Sequence, residues 1–142
     1  MITRIDHVAV VVEDIERALT VFQDAMGLKV SHTGTLPEQG VKIAFLPVGE
    51  SDIELLEPIS AGTGVAKFLA QRGEGVHHIC LEVEDIEATL LDLRDKGVRL
   101  INRTPVAGAH GRVAFIHPKS THGIMIELVE LDRQDGEHSS EP

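Results

Sequence analysis

The sequence predicts an α+β fold in which two βαβββ modules pair into one curved, cup-like mixed sheet. Three observations carry the prediction. The string "HVAVVVEDIE" (His7 to Glu16) recurs as "HICLEVEDIE" (His78 to Glu87), an offset of 71 residues (78 − 7). Further on, "IELLE" (Ile53 to Glu57) recurs as "IELVE" (Ile126 to Glu130), an offset of 73 (126 − 53). Both copies also run through the same succession of hydrophobic periods, and an internal repeat of this kind signals a duplicated structural unit. Residues 1–131 are therefore expected to form a single domain of two modules, at about 1–60 and 75–131.

Within the first module "IDHVAVVV" alternates, with Val8, Val10 and Val12 in one apolar row, as a strand with one face packed under a helix does. Asp14 is placed to cap a helix, and Ile15, Ala18, Leu19, Phe22 and Met26 follow at helical spacing up to Gly27. The second copy has Asp85 as cap, then Ile86, Leu90 and Leu93 before Gly97. Three short strands are expected after each helix: 29–33, 41–47 and 51–57 in the first module, and 99–102, 112–117 and 123–131 in the second. Between the modules "GVAKFLAQRG" reads as a short helix ending at Gly73. After Leu131 the segment 132–142 has no apolar periodicity and is expected to be a flexible tail. One helix covers only one face of its sheet, so the other face must curl around a partner or a ligand.

Composition narrows the function classes. A net charge of −10 argues against a nucleic-acid or anionic-membrane surface, since phosphate contacts need a basic patch. The chain has no Trp or Tyr and only four Phe, so base-stacking platforms are not expected either. No apolar run approaches the ~20 residues of a membrane span. The single Cys80 cannot form an internal disulfide, which fits a reducing cytoplasm.

Strand parity sorts the polar residues. His7, Ala9 and Val11 lie opposite the helix-facing valines, and His78, Cys80 and Glu82 lie opposite Ile79, Leu81 and Val83. Repeat alignment and parity together select His78 rather than His77. The same parity puts Glu54 and Glu127 on the concave side of the last strands. The spacings agree at 47 (54 − 7) and 49 (127 − 78) residues. Two imidazoles and two carboxylates, one of each per module, suit a divalent cation. Four ligands on an octahedral ion leave two positions for a chelating substrate.

These residues resemble the vicinal oxygen chelate superfamily and, within it, the methylmalonyl-CoA epimerases. The longer strings that carry the likeness are "PEQGVKIAFLPVGESDIELLEP", "GEGVHHICLEV", "GAHGRVAFIHPK" and "HGIMIEL". The resemblance implies a homodimer with one divalent ion (Co, Zn, Ni or Mn) per subunit, held by His7, Glu54, His78 and Glu127. It implies a small acyl-CoA substrate whose two C2 epimers interconvert by α-proton removal and return, with Glu127 as one base. The chain departs from the pattern twice: such epimerases often carry Gln where this sequence has Glu54, and some relatives carry an acid where it has Ile43. Lys42, Glu38 and His110 are nearby sequence candidates for a second base, none of them part of the motif, and a metal-bound or ordered water is an equal alternative. Glu54 also resembles glyoxalase I, so an isomerase of that type is the alternative function, and a non-catalytic ligand-binding protein of the same fold is a third. Of the remaining stretches, "VAGAHGR" reads as a hairpin, His117 and His122 as turn residues, Lys119 as solvated and His77 as a structural neighbour.

Overall fold

The alternating row in "IDHVAVVV" forms strand β1 (Ile2–Val11), and the acid after it starts a helix. The structure, a computed structural model, describes residues 1–132; the expected tail, apart from Asp132, lies outside the described residues. The elements that follow β1 are α1 (Ile15–Leu19), β2 (His32–Leu36), β3 (Val41–Val48), β4 (Ser51–Pro58) and α2 (Gly64–Arg72). Then come β5 (Gly75–Val83), α3 (Ile86–Asp95), β6 (Val106–Ala107), β7 (Gly111–Ile116) and β8 (Met125–Leu131). The described residues divide into two compact units, Asp6–His78 and Met1–Ile5 together with 79–132.

In the first unit the strand order is β2-β3-β4-β1. β1 runs parallel to β4, with His7 beside Asp52, Ala9 beside Glu54 and Val11 beside Leu56, while β3 pairs antiparallel with both β2 and β4. A parallel pair needs a crossover, and the sequence supplies it as α1, β2 and β3. Asp14 Oδ1 accepts from the N–H groups of Glu16 and Arg17, which makes it the predicted cap. The apolar faces follow the predicted parity. Val12, Ala44, Leu46 and Leu55 are buried under Ile15, with Val10, Ala18, Leu19 and Phe22 completing that layer. Leu46 and Leu55 are fully buried, and each such side chain contributes about 1.5–3 kcal/mol.

The opposite face is not left bare along its length. Ala9, Val11, Val41, Ile43 and Leu56 are buried beneath Val65, Phe68 and Leu69 of α2. The linker helix therefore covers one end of the face that sequence parity assigned wholly to a partner or ligand. Thr63 caps α2 through Ala66 N–H, and Gly73, at φ +77°, ends it in a conformation that favours glycine.

In the second unit the order is β5-β8-β7-β6. Val83, Ile86, Leu90, Ala114, Ile116 and Leu128 form its core, flanked by Leu81, Leu93 and Ile126. This is the helix-facing row that parity assigned. Asp85 accepts from Ala88 N–H as the predicted cap of α3. Gly111 has to be glycine on packing grounds, because a Cβ there would collide with the carbonyl oxygen of Glu130 on the neighbouring strand.

The repeat extends to a contact that the alternation hides. Glu57 Oε1 accepts from Ile15 N–H at 2.9 Å, and Glu130 Oε1 accepts from Ile86 N–H at 3.0 Å. The last glutamate of each "IELxE" string thus ties its strand to the start of its own module's helix. Glu130 also receives Arg112, which bridges to Glu87; these two hydrogen bonds, Glu87 first, raise the guanidinium pKa further above its ordinary value.

Three expectations shift. The first helix changes to wider π turns over Thr20–Ala25, with Met26 N–H bonded to Val21 O, and this change of phase leaves Met26 58% exposed. The strand expected at 29–33 begins only at His32, because Leu28 and Val30 pack against the α1 core before the chain reaches the sheet. The strand expected at 99–102 shrinks to one bridge between Leu100 and Ile116, where the Asn102 side chain takes the N–H of Phe115 that a neighbouring backbone would take. Val106–Ala107 pairs with β7 instead, in the hairpin read from "VAGAHGR".

Candidate metal centre

His7, Glu54 and His78 converge. One nitrogen or oxygen from each lies within 4.8 Å of the others. His7 Nε2 is 3.2 Å from His78 Nε2 and 3.5 Å from Glu54 Oε1. The parallel register makes this possible: His7 stands two residues before Ala9 on β1, and Ala9 lies beside Glu54 on β4. Side chains of His7 and Glu54 are 15% and 12% exposed, and His78 is the buried polar residue among the core side chains at 8%. Such burial is costly for polar groups unless they are paired or bind an ion.

The donor set fits a divalent ion. With metal–nitrogen bonds of about 2.0–2.1 Å, neighbouring ligand atoms stand about 3.0 Å apart in an octahedron and about 3.4 Å in a tetrahedron. The observed separations of 3.2 and 3.5 Å fall near these values. Mixed imidazole and carboxylate donors suit Zn, Co, Ni or Mn alike.

Each histidine has a second contact. His7 Nδ1–H donates to Asp6 Oδ2 at 2.8 Å. His78 Nδ1 lies 2.8 Å from His77 Nδ1, and the His77 ring meets Phe68 edge-on with centroids 5.1 Å apart. Adjacent strand residues normally point to opposite faces, so sequence parity gave no sign that the two rings of "HH" meet.

The other sequence candidates are placed as follows. Glu127 lies on β8 beside Phe115, half-buried, and belongs to the second unit. Ile43 is 6% exposed in the core under α2, so no proton acceptor stands there. Lys42 is exposed, in register with Glu57, and therefore on the α1 face away from His7 and Glu54. Glu38 and His110 are exposed in the turns before β3 and β7. His117 accepts from Lys119 N–H and caps a short turn at Pro118–Thr121, while His122 ends it, as expected of turn residues.

A repeated strand-helix-strand unit with a His/Glu cluster that could hold a metal ion on its sheet is the arrangement of a glyoxalase-type protein. Residues 6–115 match the family described as the glyoxalase/bleomycin resistance protein/dioxygenase superfamily. The chain is 39% identical over 127 residues to the mitochondrial methylmalonyl-CoA epimerase of Mus musculus, covering 88% of this chain and 71% of that protein. It is 39% identical over 134 residues to the ethylmalonyl-CoA/methylmalonyl-CoA epimerase of Cereibacter sphaeroides, covering 92% and 100%. A solved methylmalonyl-CoA epimerase in complex with methylmalonyl-CoA and NH4+ superposes with a TM-score of 0.82 at 40% identity, over 92% of this chain and 96% of that one. Lactoylglutathione lyases are more distant, at 31% identity for the Haemophilus influenzae enzyme. The chain belongs to the methylmalonyl-CoA epimerase family of the glyoxalase superfamily.

Proposed function

We propose that this protein is a metal-dependent epimerase that interconverts the two C2 epimers of methylmalonyl-CoA. The convergence of His7, Glu54 and His78, in a chain so similar to epimerases of that substrate, carries the reading. Repeat alignment supplies Glu127 as the fourth ligand, mate of Glu54. A divalent ion held by these residues would act as a Lewis acid toward the oxygens flanking the substrate's C2.

The residues' own task is to handle a proton. An α-hydrogen between a thioester carbonyl and a carboxylate is acidic enough to be removed by a carboxylate base, a role assigned to Glu127. Inversion requires return of the proton to the opposite face. Ile43 contributes nothing to that step, since its side chain is core. Among the described residues Glu54 is the carboxylate of the cluster. A homodimer in the cytoplasm completes the reading; the buried Cys80, which forms no disulfide, suits a reducing compartment, and no described helix is long and apolar enough to cross a membrane.

The test is solvent exchange. Methylmalonyl-CoA incubated with the protein in D₂O should gain deuterium at C2, lose the ability to do so with a strong chelator, and recover it on adding Co²⁺ or Zn²⁺. Absence of exchange, or exchange indifferent to chelator, overturns the proposal. Rapid turnover of the methylglyoxal–glutathione adduct in its place supports the glyoxalase I-type alternative.

A further inference from the structure

The dipeptides "DH" (Asp6-His7) and "HH" (His77-His78) occupy matching places in the repeat, because 77 − 6 equals 78 − 7. In both, the residue immediately before the ligating histidine bonds to the Nδ1 of that histidine, at 2.8 Å each time. In both, the Nε2 atoms point to the cluster, where they lie 3.2 Å apart. An imidazole that offers its Nε2 lone pair to a cation must carry its proton on Nδ1, and a group that accepts this proton fixes both tautomer and ring orientation.

We infer that Asp6 and His77 are repeat-matched positioning residues that hold His7 and His78 in the Nδ1–H tautomer with Nε2 aimed at the ion. The inference rests on the metal-site reading above. The two devices differ in charge. Asp6 backs His7 with a carboxylate, which makes that imidazole the stronger donor; His77 backs His78 with a neutral ring nitrogen, itself steadied by Phe68. The ion is therefore gripped unevenly by two ligands of identical type. His77, which sequence parity leaves as a bystander, gains a role through a contact that only the folded strand end permits.

The test is zinc affinity of the full chain, measured by competition with a chromophoric chelator. Wild type should hold one Zn²⁺ per chain. His77→Phe keeps the ring against Phe68 but offers no acceptor, and should weaken zinc roughly 10–100-fold. His77→Asn restores an acceptor near the same place and should come within about threefold of wild type, on the same second-shell scale. His77→Asp gives His78 the carboxylate that His7 already has, so it should bind at least as tightly as wild type, a gain that a merely structural role does not produce. Asp6→Leu should cost at least as much affinity as His77→Phe, with Asp6→Asn between it and wild type. Ring-nitrogen NMR of the zinc-loaded wild type should place the protons of His7 and His78 on Nδ1, which keeps the proposal testable if His77→Phe does not fold. Wild-type affinity in both His77→Phe and Asp6→Leu, or protons found on Nε2, overturns the inference while leaving the metal site standing. A wild-type chain that holds no zinc overturns the metal-site reading itself, and the inference with it.

Discussion

His7 Nε2 and His78 Nε2 stand 3.2 Å apart although 71 residues separate them in the chain. Each is the first residue of its repeat string. Removing either should leave one imidazole with the two proposed carboxylates, a set one nitrogen donor short of holding the ion tightly. His7→Ala and His78→Ala are expected to lose stoichiometric zinc and at least 100-fold of exchange activity, measured by metal analysis after dialysis and by deuterium incorporation; losses on replacing a residue that only hydrogen-bonds a ligand are typically smaller, at roughly 10–100-fold. Retention of one zinc per chain in either variant would sink the assignment of that histidine.

Glu54 offers a test of charge. Two carboxylate ligands neutralise a divalent ion formally, so an anionic substrate gains little from net attraction. Glu54→Gln keeps an oxygen donor and leaves a positive charge on the centre. Its KM for methylmalonyl-CoA should fall several-fold, since a unit of charge a few ångströms from the substrate is worth at least on the order of 1 kcal/mol. An unchanged KM in initial-rate assays argues against Glu54 as a ligand.

The glutamates that tie strand to helix predict a stability effect. Glu57 and Glu130 accept from Ile15 N–H and Ile86 N–H in a partly buried setting. Replacing either with Leu leaves a helix N–H without its acceptor and should cost about 1–3 kcal/mol in urea unfolding. Replacement by Gln, which retains an acceptor, should cost less than half as much.

Leu55 and Leu128 close the two α-helix-facing cores and are both fully buried. Leu55→Ala or Leu128→Ala should cost about 2–5 kcal/mol by chemical denaturation. Because the residues lie in separate units, the two losses should add in the double variant to within about 0.5 kcal/mol.

His117 supplies a pH signature. Burial first, then the charges of Arg99 and Lys119, lower its pKa below the ordinary histidine value of about 6.5. The folded state therefore favours the neutral ring, whose Nδ1 caps Lys119 N–H. Its contribution is fully present above the unfolded-state pKa and is lost as pH falls through that value toward the folded one. The Lys119 amide should lose protection from hydrogen exchange on that acid side, and His117→Asn, which still caps, should flatten the dependence.

By itself the sequence determined the repeat, the caps at Asp14 and Asp85 and the helix-facing rows, and it singled out His78 over its neighbour as the candidate ligand. These features are legible because each depends on local period or on the matching of two copies, and chain order preserves both. Tertiary structure decided what depends on packing between distant segments. Leu28 and Val30 leave the expected strand because the α1 core takes them first, and Asn102 ends another by occupying a backbone donor. α2 covers part of a sheet face that periodicity alone left open, since one linker helix can lie on either side. The bond from His77 to His78 belongs to the same class: alternation puts neighbours on opposite faces, and only the packed geometry of the strand end, with Phe68 against the ring, brings the two nitrogens to 2.8 Å.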